Sequence, residues 1–424
     1  MLSDKVPKGY KRTEVGVIPS DWSMYSIGDL FDYLRTASNS RAELGDTGDV
    51  AYVHYGDIHT RFHHFIDFSR DKLPRLSVDK GVTANRLREG DLIVADASED
   101  ETGVGKSVEV RNLGVTEAVA GLHTLLLRPK DLRTHEGYRG YLLDKESVKR
   151  QLRSLATGLK VFGISKQALR EVRIPLPSPT EQRTIAEALS DVDGLLTALE
   201  ELIDKKQAVK QATTQQLLTG KFRLPGFSGK WETKRLGDIA SIRNQKVLPS
   251  KVPIDTPCVE LDHIGQREGR LLGCSTAQYS TSSKYRFYSG DVLFGRLRSY
   301  LRKFWLADRD GICTTEIWPL VTDTKQADNG FLYTIIQSDQ FIKAASVSYG
   351  THMPRTDWDV MRNFEIWLPP VREQRAIAGT LSDMDIEIAV LERHRDKTRA
   401  IKQGMMQQLL TGRVRLVKPA SPSK

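Results

Sequence analysis

The chain has 424 residues, with 63 Lys and Arg against 54 Asp and Glu, a net charge of +9 and a pI of about 9.2. That length can bury more than one core, and the basic balance favours a polyanionic partner. No apolar run is long enough to span a bilayer, and the first residues hold no apolar signal core, so a soluble cytoplasmic protein without a membrane partner is expected.

In chain order, residues 1–20 read as a polar arm with an extended lead-in at Gly9-Tyr10-Lys11-Arg12 and Ile18-Pro19. A first mixed domain follows over 21–178. It opens on Trp22 and Ile27-Gly28-Asp29-Leu30, and alternating or apolar runs predict strands at 49–55, 91–95 and 122–127. Residues 137–155 read as helix. Residues 179–220 read as one long helix, entered through Pro177 and Pro179 and closed by Gly220. A second mixed domain, 221–369, repeats the opening as Trp231 and Leu236-Gly237-Asp238-Ile239, and predicts a helix at 330–345. Residues 370–412 form a second long helix after Pro369-Pro370, closed by Gly412, and residues 413–424 read as a disordered tail.

The helices are copies. The block from Ile174 to Gly220 returns from Ile366 to Gly412 at a constant offset, 366 − 174 = 192 and 412 − 220 = 192. Roughly half the positions are identical without a gap, so an internal repeat governs the fold. A further echo pairs Gly90-Asp91-Leu92-Ile93 with Gly290-Asp291-Val292-Leu293. Each repeat is thus an α+β domain followed by a helix, with shared edges and different interiors.

Apolar positions step by four and three along each helix. They are Ile185, Leu189, Val192, Leu196, Leu199 and Ile203 in the first, and Ile377, Leu381, Met384, Ile388 and Leu391 in the second. That heptad seam asks for a partner helix, and the two helices are expected to pair antiparallel as a coiled coil with the domains at opposite ends. Ile203 is matched by Arg395, where the seam should weaken.

Catalytic signatures are missing. Thr102-Gly103-Val104-Gly105-Lys106-Ser107 lacks the first glycine of a phosphate loop and follows an acidic stretch, so a surface loop is the simpler reading. His59, His63 and His64 lie near Asp57, but a metal site would need a fourth ligand and defined geometry; polar DNA contacts or solvated histidines suit them better. The three cysteines, Cys258, Cys274 and Cys313, form no Cys-x-x-Cys pair. The only Pro-Pro stands at a helix entrance, not in an adenine-methyltransferase loop.

Nucleic-acid signals are stronger. In the second domain Lys284, Arg296, Arg298, Arg302 and Lys303 interleave with aromatics including Tyr300, and Arg243 and Lys246 precede them. Arg296 and Arg298 alternate on an expected strand, so both should face one side. Loops before the helices, Thr157 to Ser165 and Tyr349 to Asp357, align at Gly158 and Gly350 and then differ. They contribute Lys160, Phe162 and Ser165 in the first half, and Tyr349, Thr351, His352 and Arg355 in the second. Tyr55, Asp57, His59 and Arg61 complete the candidate DNA contacts. For each the alternative is an ordinary polar face or a supporting turn.

The doubled E-Q-R-x-I-A…L-S-D-x-D and K-Q…Q-Q-L-L-T-G blocks, with Ile27-Gly28-Asp29-Leu30, resemble the specificity subunits of type I restriction–modification systems over the whole chain. The resemblance implies two target-recognition domains that read a bipartite double-stranded DNA site, and a helix pair that sets the spacer. It also implies two modification subunits carrying S-adenosylmethionine, and optional restriction subunits using ATP and Mg. No metal or cofactor is expected on this chain. The competing readings are a self-contained methyltransferase or nuclease, and a coiled-coil adaptor of another defence complex.

Overall fold

The repeated blocks prove to be each other's partners. The computed structural model describes residues 6–77, 83–100, 103–158, 160–347 and 354–418. It divides into two compact units, Met1–Ala198 with Arg395–Lys424, and Leu199–His394. The central helix, Pro179–Leu218, and the C-terminal helix, Val371–Leu409, are each shared between the units. The linear order of domain and helix is thus folded into two units that each draw on both helices. Each unit holds a domain, the start of that domain's own helix and the end of the other. No helix among the described residues is long and apolar enough to cross a membrane.

In the N-terminal unit a five-stranded sheet runs in the order Phe31–Leu34, Thr124–Pro129, Leu92–Ala95, Ser107–Arg111, His64–Asp67. Its pairs are antiparallel except the last. A second sheet orders Ala118–Ala120, Val50–Val53 and Arg75–Leu76. The expected strand at 49–55 stops at Val53 because His54 caps a helix, Tyr55–Thr60, its ring accepting from Gly56 N–H at 3.1 Å. The expected helix at 137–155 is two pieces, a tight turn at Arg139–Asp144 and a helix at Glu146–Leu155.

In the C-terminal unit Ala240–Ile242, Ile317–Thr322, Val292–Gly295 and Phe304–Leu306 form an antiparallel sheet. A five-stranded sheet adds Lys246–Val247, Lys284–Phe287, Gly311–Thr314, Pro257–Val259 and Ser275–Thr276. The helix expected at 330–345 is broken at Ser338, whose hydroxyl accepts from Phe341 N–H and starts a new helix.

Each domain closes on itself through a short ladder. Ser23–Ser26 pairs with Arg173–Leu176, and Glu232–Arg235 pairs with Glu365–Leu368. The Ile-Gly-Asp-Leu motif begins beside this ladder. A Cβ on Gly28 would lie 3.2 Å from Arg170 O, and one on Gly237 3.0 Å from Arg362 Cβ, so the glycine permits the close packing.

The helix starts are locked by the Glu-Gln of the repeat. Glu181 is buried and accepts from Trp22 Nε1 at 3.1 Å and from Arg415 Nη2 at 2.8 Å. Glu373, at the 192 offset, accepts from Trp231 Nε1 at 3.2 Å and from Arg223 at 2.5 and 2.7 Å. Arg223 follows the central helix and Arg415 the C-terminal helix, so the end of each copy clasps the start of the other. Gln182 and Gln374 fasten each domain to its helix. The first binds Pro177 O, Arg133 O and His135 N–H; the second binds Pro369 O, Gln326 O and Asp328 N–H.

The helices run antiparallel within both units. In the N-terminal unit Lys402 pairs with Asp193; in the C-terminal unit Lys210 pairs with Asp385 at 2.5 Å and Lys206 with Glu387 at 2.6 Å. Asp193 and Lys210 recur at the offset as Asp385 and Lys402. The seam is less uniform than its heptads suggest. Ile185 and Leu189 join the core of the N-terminal domain, together with Leu409 and Leu410 from the other helix. Ile377 and Leu381 do the same in the C-terminal domain beside Leu217. Leu199, Ile203 and Ile388 are buried, whereas Val192, Leu196, Met384 and Leu391 are half-buried. Where Ile203 meets no apolar counterpart in the repeat, Arg395 turns to Asp396 at 2.8 Å, and Thr398 and Lys402 take the buried positions.

Two terminal expectations change. The arm is a hairpin, Tyr10–Thr13 with Gly16–Pro19, and Tyr10 Oη donates to Gly412 O at 2.9 Å. The tail is held as far as the described residues go, because Arg415 also binds Asp21 at 2.8 and 3.0 Å.

Lys145 sits fully buried under this lock, its Nζ donating to Pro175 O and lying 5.3 Å from the rings of Trp22 and Tyr138. Burial pushes its ammonium down from 10.5 to about 7, with Glu181 opposing the shift. The unfolded chain therefore holds one more proton between pH 7 and 10.5, so stability rises with pH across that window and is lost as pH falls toward 7. Denaturation measured across this range should show a steeper rise for the native protein than for Lys145→Met; equal slopes would place the ammonium in water.

Candidate DNA interface

Both domains end in the same junction. In the N-terminal unit the strand Leu92–Ala95 runs out at Asp96, whose N–H donates to His123 O at 3.2 Å while its carbonyl accepts from Ile164 N–H at 2.8 Å. In the C-terminal unit Val292–Gly295 runs out at Arg296, whose N–H donates to Glu316 O at 2.9 Å while its carbonyl accepts from Thr356 N–H at 2.8 Å. Ile164 and Thr356 stand at the 192 offset. The loop before each long helix is thereby stitched to the end of the Gly-Asp strand. Ala97–Ser98 pairs with Phe162–Gly163 on one side, and Leu297 bridges Arg355 on the other.

A buried aspartate supports each strand. Asp91 accepts from Arg128 at 2.9 and 2.7 Å and from Arg88 N–H at 2.8 Å. Asp291 accepts from Arg243 at 2.7 and 2.9 Å and from Tyr288 N–H at 2.9 Å. Arg243, expected on DNA, is thus engaged in holding the Gly-Asp turn, and its guanidinium also stacks 4.8 Å from the Tyr288 ring.

The frame is shared but the side chains it presents are opposite in charge. Around the first junction stand Asp96 and His123, 3.5 Å apart, with Tyr55 edge-on to the His123 ring at 5.3 Å. Burial raises the Asp96 carboxyl, and His123 opposes that rise. Around the second stand Arg296, Arg298, Glu316 and Arg355, with Arg355 forked onto Glu316 at 2.9 to 3.1 Å. Arg296 lies 5.5 Å from the Trp318 ring, and its buried Nε has no acceptor among the described residues. His123 and Arg298 hold left-handed backbone, φ 55° and 52°. Such strain in bulky residues persists only where surrounding contacts impose it.

Other expected contacts are redistributed. Arg296 and Arg298 do not share a strand face, because the ladder ends at Gly295 where Lys303 and Leu261 close in. Lys284 is buried and ion-paired with Glu260 at 2.5 Å, because Glu260 directly follows the strand Pro257–Val259 of the same five-stranded sheet. Lys303 donates to Leu261 O at 2.7 Å, and Arg302 is held by Asp339. Asp57 is buried between Arg41 and Arg61, at 2.6 and 3.4 Å. Ser165 caps the helix Lys166–Glu171 by accepting from Ala168 N–H. His59 bonds Ala97 O at 2.8 Å, whereas His64 meets Asp144 at 2.7 Å and Lys402, so the histidines serve separate places. Among the described residues no group of His, Cys, Asp and Glu could hold a metal. Lys160, Lys246 and Tyr300 are exposed, and Phe162 is half-exposed in its short ladder. Tyr349, Thr351 and His352 lie outside the described residues.

Asp96, His123 and Glu316 carry no sequence signal of their own; the Gly-Asp echo, 290 − 90 = 200, is what aligns Asp96 with Arg296. Arg267 is a further surface arginine with left-handed backbone, φ 64°, beside Arg302 O.

The family described as "Type I restriction modification DNA specificity domain" matches residues 19–211 and again 228–398. The chain belongs to this family. The type I restriction enzyme MjaVIII specificity subunit of Methanocaldococcus jannaschii is 24% identical over 425 residues, covering 94% of each chain. The EcoDI specificity subunit of Escherichia coli is 23% identical over 281 residues, covering 58% of this chain and 62% of that protein. The S subunit structure from M. genitalium superposes with a TM-score of 0.57 at 15% identity, over 96% of this chain and 97% of that one. A chain solved in a study of type I complex assembly and conformational transition gives 0.52 at 15%, over 94% and 99%. These likenesses agree with the α+β domains and paired helices described above. The two family matches also fall on the two repeats, each running from the domain opening into its long helix. In this specificity-family frame, the junctions are where the repeats diverge while the helix locks are where they agree.

Proposed function

We propose that the chain reads a bipartite double-stranded DNA target, one half-site through each domain. One observation carries this reading: a duplicated backbone junction presents Asp96 with His123 in one repeat, and Arg296 with Arg298 in the other. A structural device duplicated for stability alone would keep its side chains, as the Glu-Gln locks do. On this reading the helix pair sets the distance between half-sites, and the chain is non-catalytic. Methyl transfer would come from two modification subunits carrying S-adenosylmethionine. Cleavage, where present, would come from restriction subunits using ATP and Mg.

The helices also offer a surface for such partners. Leu202 and Val209 on the central helix, and Ile386 and Val390 on the C-terminal helix, are exposed although apolar. Leu202 and Val209 stand seven residues apart, on one face of the central helix, and an apolar stripe left in water offers a partner a contact.

Purified chain alone should transfer no methyl group to DNA, and adding the modification subunits should produce methylation at one bipartite sequence. Leu202→Glu with Val209→Glu should weaken that assembly, read as lost co-elution, without changing the melting of the isolated chain. Methyl transfer by the chain alone would instead favour a self-contained enzyme.

A further inference from the structure

We infer that Asp96 is a specificity-determining residue that accepts a hydrogen bond from the exocyclic amino group of a cytosine in the half-site read by the N-terminal unit. The inference rests on the DNA-reading function proposed above and gives it a residue and a base. Three observations converge on it. Asp96 occupies the position that the C-terminal unit fills with Arg296, fixed by the same two backbone hydrogen bonds. Its side chain is 28% exposed, so it reaches the surface directly from the end of the strand Leu92–Ala95. One carboxylate oxygen faces His123 Nδ1 at 3.5 Å, and the other accepts no hydrogen bond among the described residues.

The chemistry follows from charge. A carboxylate beside a DNA backbone is repelled by phosphate and gains only where it meets a donor on a base edge. The major-groove amino donors are cytosine N4 and adenine N6; adenine also sets its N7 acceptor against an acceptor-only carboxylate, so cytosine N4 is the better match, whereas an arginine fork seeks guanine O6 and N7. The two junctions therefore present opposite polarity to their half-sites. His123, packed edge-on by Tyr55 and held in left-handed backbone, positions the carboxylate through one of its two oxygens.

The test uses the complex of this chain with its modification subunits, and reads the methylated sequences genome-wide together with binding to synthetic duplexes. Asp96→Asn should relax one position of the N-terminal half-site from cytosine alone to cytosine or adenine, because a carboxamide pairs with adenine. Preference for cytosine should fall roughly five- to a hundredfold. Glu99→Gln, a neighbouring exposed acid, should leave every position unchanged. If Asp96→Asn fails to assemble, the native complex still decides. Replacing the half-site cytosine by 2-pyrimidinone, which lacks the 4-amino group, should weaken binding by a similar factor.

An N-terminal half-site without a C·G pair, an Asp96→Asn profile identical to the native one, or indifference to 2-pyrimidinone at every cytosine overturns the assignment. Methylation of no bipartite sequence by the native complex overturns the functional reading itself, and with it this inference.

Discussion

Replacing Arg415 by Met is expected to lower the stability of the N-terminal unit by about 3–5 kcal/mol, the usual cost of stranding one partner of a buried ion pair. Glu181 is 1% exposed, and its lock consists of the Trp22 indole N–H and the Arg415 guanidinium. Without that guanidinium the carboxylate stays buried, and Asp21 loses its bidentate partner as well. Arg223→Met is the matching change in the C-terminal unit, where Glu373 is also 1% exposed. Met keeps most of the aliphatic stem, so the loss reports charge more than packing. Chemical denaturation, followed by the fluorescence of Trp22 and Trp231 in separate single-tryptophan backgrounds, should show each variant destabilising its own unit. Removing residues 413–424 should reproduce the Arg415 effect. A fall below about 1 kcal/mol in both variants would mean that these pairs behave as screened surface contacts.

Exchanging residues 22–173 for the same region of another specificity subunit is expected to replace one half-site completely and leave the other untouched. The ends of this block lie in one ladder, where Ser23 faces Leu176 and Ser26 faces Arg173. A foreign domain can therefore enter through two adjacent strands, a ladder that both repeats of this chain possess. The Gln182 clamp reaches the domain through the carbonyl of Arg133 and the N–H of His135, backbone groups that do not depend on side-chain identity. Each mismatched base pair costs about 1–3 kcal/mol, so affinity for the parental target should fall by orders of magnitude. Methylome sequencing of cells expressing the chimaera with its modification subunits reads the result directly. Simultaneous change of both half-sites would contradict independent reading by the two domains.

The repeat was legible in the sequence because its blocks satisfy local and symmetric demands at once. Proline entrances, glycine exits and the apolar spacing of Ile185, Leu189, Ile377 and Leu381 each state a helix without reference to distant residues. The doubled Glu-Gln-Arg block was visible too, but its use was not. Glu181 meets Arg415 and Trp22, 234 and 159 positions away. Separation of that kind is invisible to any window along the chain.

The same limit explains the site. Counting basic residues found Lys284, Arg243 and Lys303, but it could not show that the fold also holds each of them on a protein acceptor. Glu260, Asp291 and Leu261 O are those acceptors across the sheet. Conversely Asp96 and His123 looked unremarkable, because their meaning lies in a junction built from three separated segments. The sequence by itself determined the two-fold repetition, the helices and the class of protein, since these rest on periodicity and short motifs. Only the tertiary structure decided which side of each repeat is occupied by packing and which polar groups remain unclaimed, since burial and pairing depend on strands that meet only after folding.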